Sequence, residues 1–191
     1  MKHPLISPLT CNEEKILDIQ QPAYPAPAFA MTSRSLADIT DLIIHHSDGP
    51  SDQNPLAIDQ EHRNEGWSMI GYDYIIAGNG TIYKGRPDDV VPSAAYGRNS
   101  QSVDVCLLGD FQPNTPGFAS AVPAAQLQAV KDLAVYLHQR YPSIARTFGH
   151  RDVAKLFYPN NTADYATSCP GDVLEAQLPA IKAYVLAKIQ H

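Results

Sequence analysis

The distribution of apolar residues predicts an α/β fold, a single domain with a central mixed β-sheet flanked by helices. Short apolar runs of strand length alternate with longer segments whose apolar residues recur at helical spacing, and no internal repeat intervenes. Between two strand-like runs stands Gly78-Asn79-Gly80, a hairpin signal that demands at least one antiparallel pair in the sheet.

Residues 1–36 read as a leader or strap. Pro22-Ala23-Tyr24-Pro25-Ala26-Pro27-Ala28 favours an extended, semi-rigid chain, and Tyr24 and Phe29 are the side chains able to dock it on the domain. Residues 37–191 form the one folded domain. Its first element is a buried strand over residues 42–45, closed by the turn at Gly49-Pro50. A helix follows over residues 56–64, after Asn54-Pro55 and before Gly66. Residues 71–77 and 81–84 make the two strands of the hairpin, and residues 103–108 a further buried strand carrying Cys106. Leu127, Val130, Leu133, Ala134 and Leu137 share one helical face, so residues 123–140 form an amphipathic helix with Pro123 in its first turn. The last helix repeats that pattern at Leu178, Ile181, Val185 and Ile189. It starts near Leu178, because Pro179 is tolerated only in a first turn.

With 191 residues, 44% of them hydrophobic, the chain suffices for one cored domain and falls short of two. A net charge of -6 and the lack of any Lys/Arg run argue against nucleic-acid and membrane-surface partners. Pro4, Pro8, Asn12, Glu13 and Glu14 interrupt any export signal, and no run of about 18 apolar residues is present to span a bilayer. The expectation is a monomer made in the cytoplasm without membrane insertion. Three cysteines, Cys11, Cys106 and Cys169, show no disulfide spacing.

Three of the side chains form a donor set. His45 ends an apolar strand, His150 lies in Gly149-His150-Arg151-Asp152, and Cys169 in Thr167-Ser168-Cys169-Pro170-Gly171. Two imidazoles and a thiolate fill three of the four tetrahedral positions of zinc and leave the last for water, the pattern of a catalytic rather than a structural site. A zinc hydrolase is the chemistry this set implies. Of the other histidines, His46 should face away from the site and serve packing, His62 should be hydrogen-bonded within the fold, and His3, His138 and His191 should be solvated. Trp67 reads as a core anchor or groove wall, with core favoured, and Cys106 as an inert buried thiol.

Taken in order, His45, Trp67, Gly71-Tyr72-Asp73-Tyr74-Ile75-Ile76, Asn99-Ser100-Gln101-Ser102-Val103, Leu108-Gly109-Asp110-Phe111, Gly149-His150-Arg151-Asp152 and Cys169-Pro170-Gly171 resemble the type 2 N-acetylmuramoyl-L-alanine amidases. That family includes phage lysis amidases, wall-recycling amidases and peptidoglycan recognition proteins, and the resemblance covers residues 40–190. It implies zinc (Zn2+) on His45, His150 and Cys169, Tyr72 beside the reacting water, and Thr167 as the assisting residue where members carry Lys or Thr. It also implies hydrolysis of the amide between the lactyl group of N-acetylmuramic acid and L-alanine of peptidoglycan or a muropeptide. A phage or prophage endolysin, acting on the wall after release, is the first reading. A cytoplasmic recycling amidase acting on soluble (anhydro)muropeptides is the alternative, followed by a non-catalytic recognition module. A metal-free cysteine hydrolase using Cys169 and His150 is a further class.

Two departures from the family pattern stand out. Ala94 occupies a position where relatives often carry histidine, and the interval from His150 to Cys169 is longer than in compact members. The inserted stretch, with Leu156, Phe157, Tyr158, Asn160, Asn161 and Tyr165, is expected to form a lip over the peptide groove, against a self-packed surface loop.

Overall fold

The computed structural model describes residues 17–189. Six strands form one sheet: β1 (Ile19–Gln20), β2 (Asp41–His46), β3 (Tyr74–Ile76), β4 (Ile82–Lys84), β5 (Ser102–Leu107) and β6 (Arg146–Gly149). Their spatial order is β1-β4-β3-β5-β2-β6, with β3 and β4 antiparallel and every other neighbouring pair parallel. This is the mixed sheet that the hairpin at Gly78-Asn79-Gly80 requires. The helices are α1 (Pro55–Asn64), α2 (Ala124–Arg140), α3 (Asp152–Phe157), α4 (Asp172–Glu175) and α5 (Leu178–Ile189).

Most element boundaries follow local chemistry. Asn54 caps α1 by accepting the Ala57 N–H, and Pro55 takes the first turn, where its missing N–H costs nothing. The strand expected over residues 71–77 is shorter, because Gly71 and Tyr72 leave the ladder and Tyr72 turns toward His45. β1, β6, α3 and α4 are elements that periodicity did not reveal, each being too short to show a period. β6 has only Thr147, Phe148 and Gly149 buried, and it gains its place by pairing with β2.

Alternation along the central strands divides the molecule. Leu42 and Ile44 of β2, with Val103, Val105 and Leu107 of β5, face α2 and α5 and meet Val130, Leu133, Leu137, Ile181 and Val185 in the main core. The opposite side chains, Asp41, Ile43 and His45 with Ser102, Asp104 and Cys106, are equally buried but face the front of the sheet, where the chemistry sits.

Residues 17–36 lie against this front layer. Tyr24 donates its hydroxyl to the Lys84 carbonyl at 3.1 Å and packs beside Ile58, Met69, Ile70 and Ile75. Arg63 of α1 holds the Pro25 and Ala26 carbonyls, and Ser68 bonds both the N–H and the carbonyl of Phe29, whose ring remains 57% exposed. Arg34 is inserted most deeply. Its side chain is 2% exposed and donates to Asp73 Oδ1 at 3.1 Å and to the carbonyls of Asp88, Asn99 and Ser102. Cys11, His3 and His191 lie outside the described residues.

Removing Arg34 leaves the buried Asp73 without its guanidinium. Arg34→Met is therefore expected to lower the unfolding free energy by roughly 3–5 kcal/mol in urea titration. A change below about 1 kcal/mol would show that residues 17–36 adhere only superficially.

Candidate metal centre

β2 presents His45 near its C-terminal end, 1% exposed, on the front face. Asp104 of β5 lies on the same face, and its Oδ1 is 2.6 Å from His45 Nε2. An ionised carboxylate only accepts, so Nε2 carries the proton and Nδ1 turns its lone pair into the cleft. Asp104 is itself held from two sides. Ser102 Oγ donates to its Oδ2 at 2.6 Å, and its own backbone N–H donates to Asp73 Oδ2 at 2.8 Å, while Arg34 sits on Asp73. Burial raises the pKa of both carboxyls, an effect opposed first by Ser102 at Asp104 and by Arg34 at Asp73.

His150 follows β6 directly, its N–H donating to the Ile44 carbonyl at 3.1 Å, and its ring centroid lies 4.6 Å from that of His45. Cys169 arrives on a tight turn. Thr167 Oγ1 accepts the Cys169 N–H at 3.1 Å, the Cys169-Pro170 peptide is cis, and Gly171 adopts φ 83° where a Cβ would overlap the Phe111 carbonyl. Arg151 staples the His150 and Cys169 segments together. Its N–H donates to the Cys169 carbonyl at 2.8 Å, and its guanidinium reaches the Ser168 carbonyl and, at 2.6 Å, Asp172 Oδ1.

The donor set fits a tetrahedral metal. Ligand atoms of His45, His150 and Cys169 all lie within 4.8 Å of one another, with His45 Nδ1 to Cys169 Sγ at 3.7 Å. Bonds of about 2.05 Å to nitrogen and about 2.3 Å to sulfur at a tetrahedral angle set such a pair about 3.6 Å apart.

Electrostatics favour the same use. Burial, reinforced by neighbouring imidazoles, depresses both His45 and His150 to about 3, so both are neutral ligands at physiological pH. Burial pushes the Cys169 thiol up to about 12 despite the His46 backbone N–H and Arg151, which favour the thiolate. A thiol so held is not an activated nucleophile, which weighs against the metal-free cysteine hydrolase. Tyr72 stands with its ring 5.5 Å from that of His45. Burial, with Cys106 and Cys169 nearby, keeps its hydroxyl protonated.

The remaining candidates fall around this centre. His62 Nδ1 accepts the Gly71 N–H at 2.9 Å, and Trp67 packs on the His62 ring, tilted by 35° with centroids 4.4 Å apart, rather than joining an apolar core cluster. His46 Nδ1 accepts the Phe111 N–H at 3.1 Å, a packing role on the face away from the ligands. His138 is not a solvated residue as expected: it is half-buried and bonds Thr147 Oγ1 at 2.9 Å. Asp104, Asp73, Arg34 and Arg151 were not anticipated as supports. An aspartate between Val103 and Val105, in a strand that is otherwise apolar, was the available signal for one of them.

A profile of the N-acetylmuramoyl-L-alanine amidases matches residues 35–172. The chain belongs to this amidase family. The endolysin of Klebsiella phage KP32 is 40% identical over 103 residues, 54% of this chain and 67% of the phage protein, and the endolysin of Escherichia phage T7 is 36% identical over the same length and shares. Among solved structures, the N-acetylmuramoyl-L-alanine amidase LysC from Clostridium intestinale URNW superposes with a TM-score of 0.73 at 27% identity, covering 90% of this chain and 99% of LysC. Drosophila PGRP-LB, at 24% identity and a TM-score of 0.69 over 86% of this chain and 94% of its own, shares the fold.

Two outcomes follow for this amidase. Neither imidazole releases a proton between pH 6 and 8, whereas Cys169 must lose one on ligation, so zinc affinity should rise by about one log unit per pH unit in chelator competition. A flat profile would mean that the thiolate is already formed. Asp104→Ala should weaken zinc binding roughly 10–100-fold, because His45 loses the acceptor that orients it; unchanged affinity would make Asp104 merely structural.

Proposed function

We propose that this chain is a zinc-dependent N-acetylmuramoyl-L-alanine amidase of the phage or prophage endolysin kind. It hydrolyses the amide joining the lactyl group of N-acetylmuramic acid to L-alanine in peptidoglycan. The observation that carries this reading is the 3.7 Å separation of His45 Nδ1 and Cys169 Sγ, with His150 completing a neutral-imidazole and sulfur set suited to zinc. The endolysin assignment is supported by the KP32 and T7 relatives.

In this reading His45, His150 and Cys169 hold the zinc. When bound, zinc acidifies water and polarises the scissile carbonyl. The chain's own groups do the rest. Tyr72 donates its hydroxyl to the oxyanion that develops as the carbonyl becomes tetrahedral, a contact worth about 3 kcal/mol. Thr167 accepts the Cys169 N–H through its oxygen, which leaves its proton to donate to water or oxyanion. As a neutral hydroxyl it supplies orientation without the charge of a lysine. Asp104 keeps the His45 tautomer fixed throughout. Among the described residues no helix is long and apolar enough to cross a membrane.

The test follows new L-alanine amino termini released from purified sacculi. The zinc-loaded chain is expected to release them, and exhaustive chelation and Cys169→Ala each to abolish release. Tyr72→Phe should lower kcat roughly a hundredfold with KM little changed. Activity that survives chelation refutes the zinc reading. A folded, zinc-loaded chain active only on soluble muropeptides refutes the endolysin reading in favour of a recycling amidase.

A further inference from the structure

Ile43 precedes His45 by two residues on β2, so both side chains leave the front face of the sheet, roughly 7 Å apart. Whatever covers Ile43 therefore borders the metal centre. That cover is Ala95, Phe148 and Val153, with Phe157 and Tyr158 packed on them. Tyr158 continues into an aromatic stack. Its ring lies 3.6 Å from that of Tyr165 with planes within 2°, and Tyr165 in turn stacks with Tyr96 at 5.4 Å and 22°.

This stack is built into the backbone. Tyr158 donates its hydroxyl to the Gly97 carbonyl at 2.7 Å, and Gly97 adopts φ 83° where a Cβ would stand 2.6 Å from that hydroxyl and 2.8 Å from the Tyr165 ring. Asn161 Nδ2 donates to Asp164 Oδ2 at 2.7 Å, closing the turn between the two tyrosines. Both Tyr158 and Tyr165 belong to the stretch between His150 and Cys169, and Tyr165 is only four residues from Cys169, a reach of at most about 14 Å. At its outer end Tyr96, stacked on Tyr165, is 72% exposed, an aromatic surface left open to solvent.

Charge selects what fits there. Neither residues 93–97 nor residues 157–166 contain a lysine or arginine, and Asp164 adds a negative charge. The adjacent guanidinium, Arg98, is paired with Asp41 and lies on the Phe157 ring. Stem-peptide carboxylates would find no counter-ion within these two segments. A neutral pyranose, with an apolar C–H face and hydroxyls at its edge, meets both a ring face and the amide and phenol groups around it.

We infer that Tyr96, Tyr165 and Tyr158 form a saccharide subsite that takes an N-acetylated pyranose of the glycan strand beside the metal centre. The choice of glycan rests on the amidase reading above. The expected lip is thus a wall on the sugar side of the cleft rather than a cover for the peptide.

Calorimetric titration of the full chain with a tetramer of N-acetylglucosamine, which carries no stem peptide, tests the subsite without requiring turnover. The wild-type chain should bind it, Tyr96→Ala should bind roughly tenfold more weakly or worse, and Tyr96→Trp should retain binding. On sacculi, Tyr96→Ala should raise KM while kcat stays within about twofold. Absence of tetramer binding by the wild-type chain, or equal affinity in Tyr96→Ala, overturns the proposal. So does a Tyr96→Ala defect seen with free stem peptide in place of the tetramer. Tyr96-dependent tetramer binding by a chain that hydrolyses nothing would refute the amidase reading and uphold the subsite.

Discussion

The pairing of Asp104 with His45 is the contact on which the centre depends. A buried imidazole has two tautomers, and only one points a lone pair at Cys169; the 2.6 Å contact to Nε2 selects it. That selection places a carboxylate in the middle of a sheet, where an uncompensated charge would be untenable. The compensation comes from the Ser102 hydroxyl and from Arg34, which also neutralises the neighbouring Asp73. Residues 17–36, through Arg34, therefore contribute electrostatically to the carboxylate that orients His45.

The sheet keeps this polar chain apart from the packing that stabilises the domain. Side chains alternating along β2 and β5 send Leu42, Ile44, Val103, Val105 and Leu107 to α2 and α5, and Ser102, Asp104, Cys106 and His45 to the front. Helix packing can thus be continuous behind the sheet while the front holds acid, hydroxyl and imidazole. His150 is set by the end of β6, and Arg151 ties the segment after it to the Cys169 turn. A close donor cluster then forms from three distant parts of the sequence.

Much of this was legible in the residues. His45, His150 and Cys169 stand in short motifs whose order identified a family, and the apolar periods of residues 123–140 and 178–189 located α2 and α5 almost to the residue. The supports were harder to read, because Asp104, Asp73 and Arg34 acquire meaning only through pairing across β2, β5 and the β3 turn. Periodicity also failed where elements were too short to have any, at β1, β6, α3 and α4. His138 was misjudged for a related reason: its partner, Thr147, lies on a strand with no pattern to announce it.

Heteronuclear NMR of the imidazole nitrogens, recorded on the metal-free and the zinc-loaded chain, tests the central claim most directly. The account predicts that His45 carries its proton on Nε2 in both states and that only Nδ1 shifts when zinc binds. A metal-free chain with the His45 proton on Nδ1, or exchanging between the two nitrogens, would contradict a centre set in advance by Asp104.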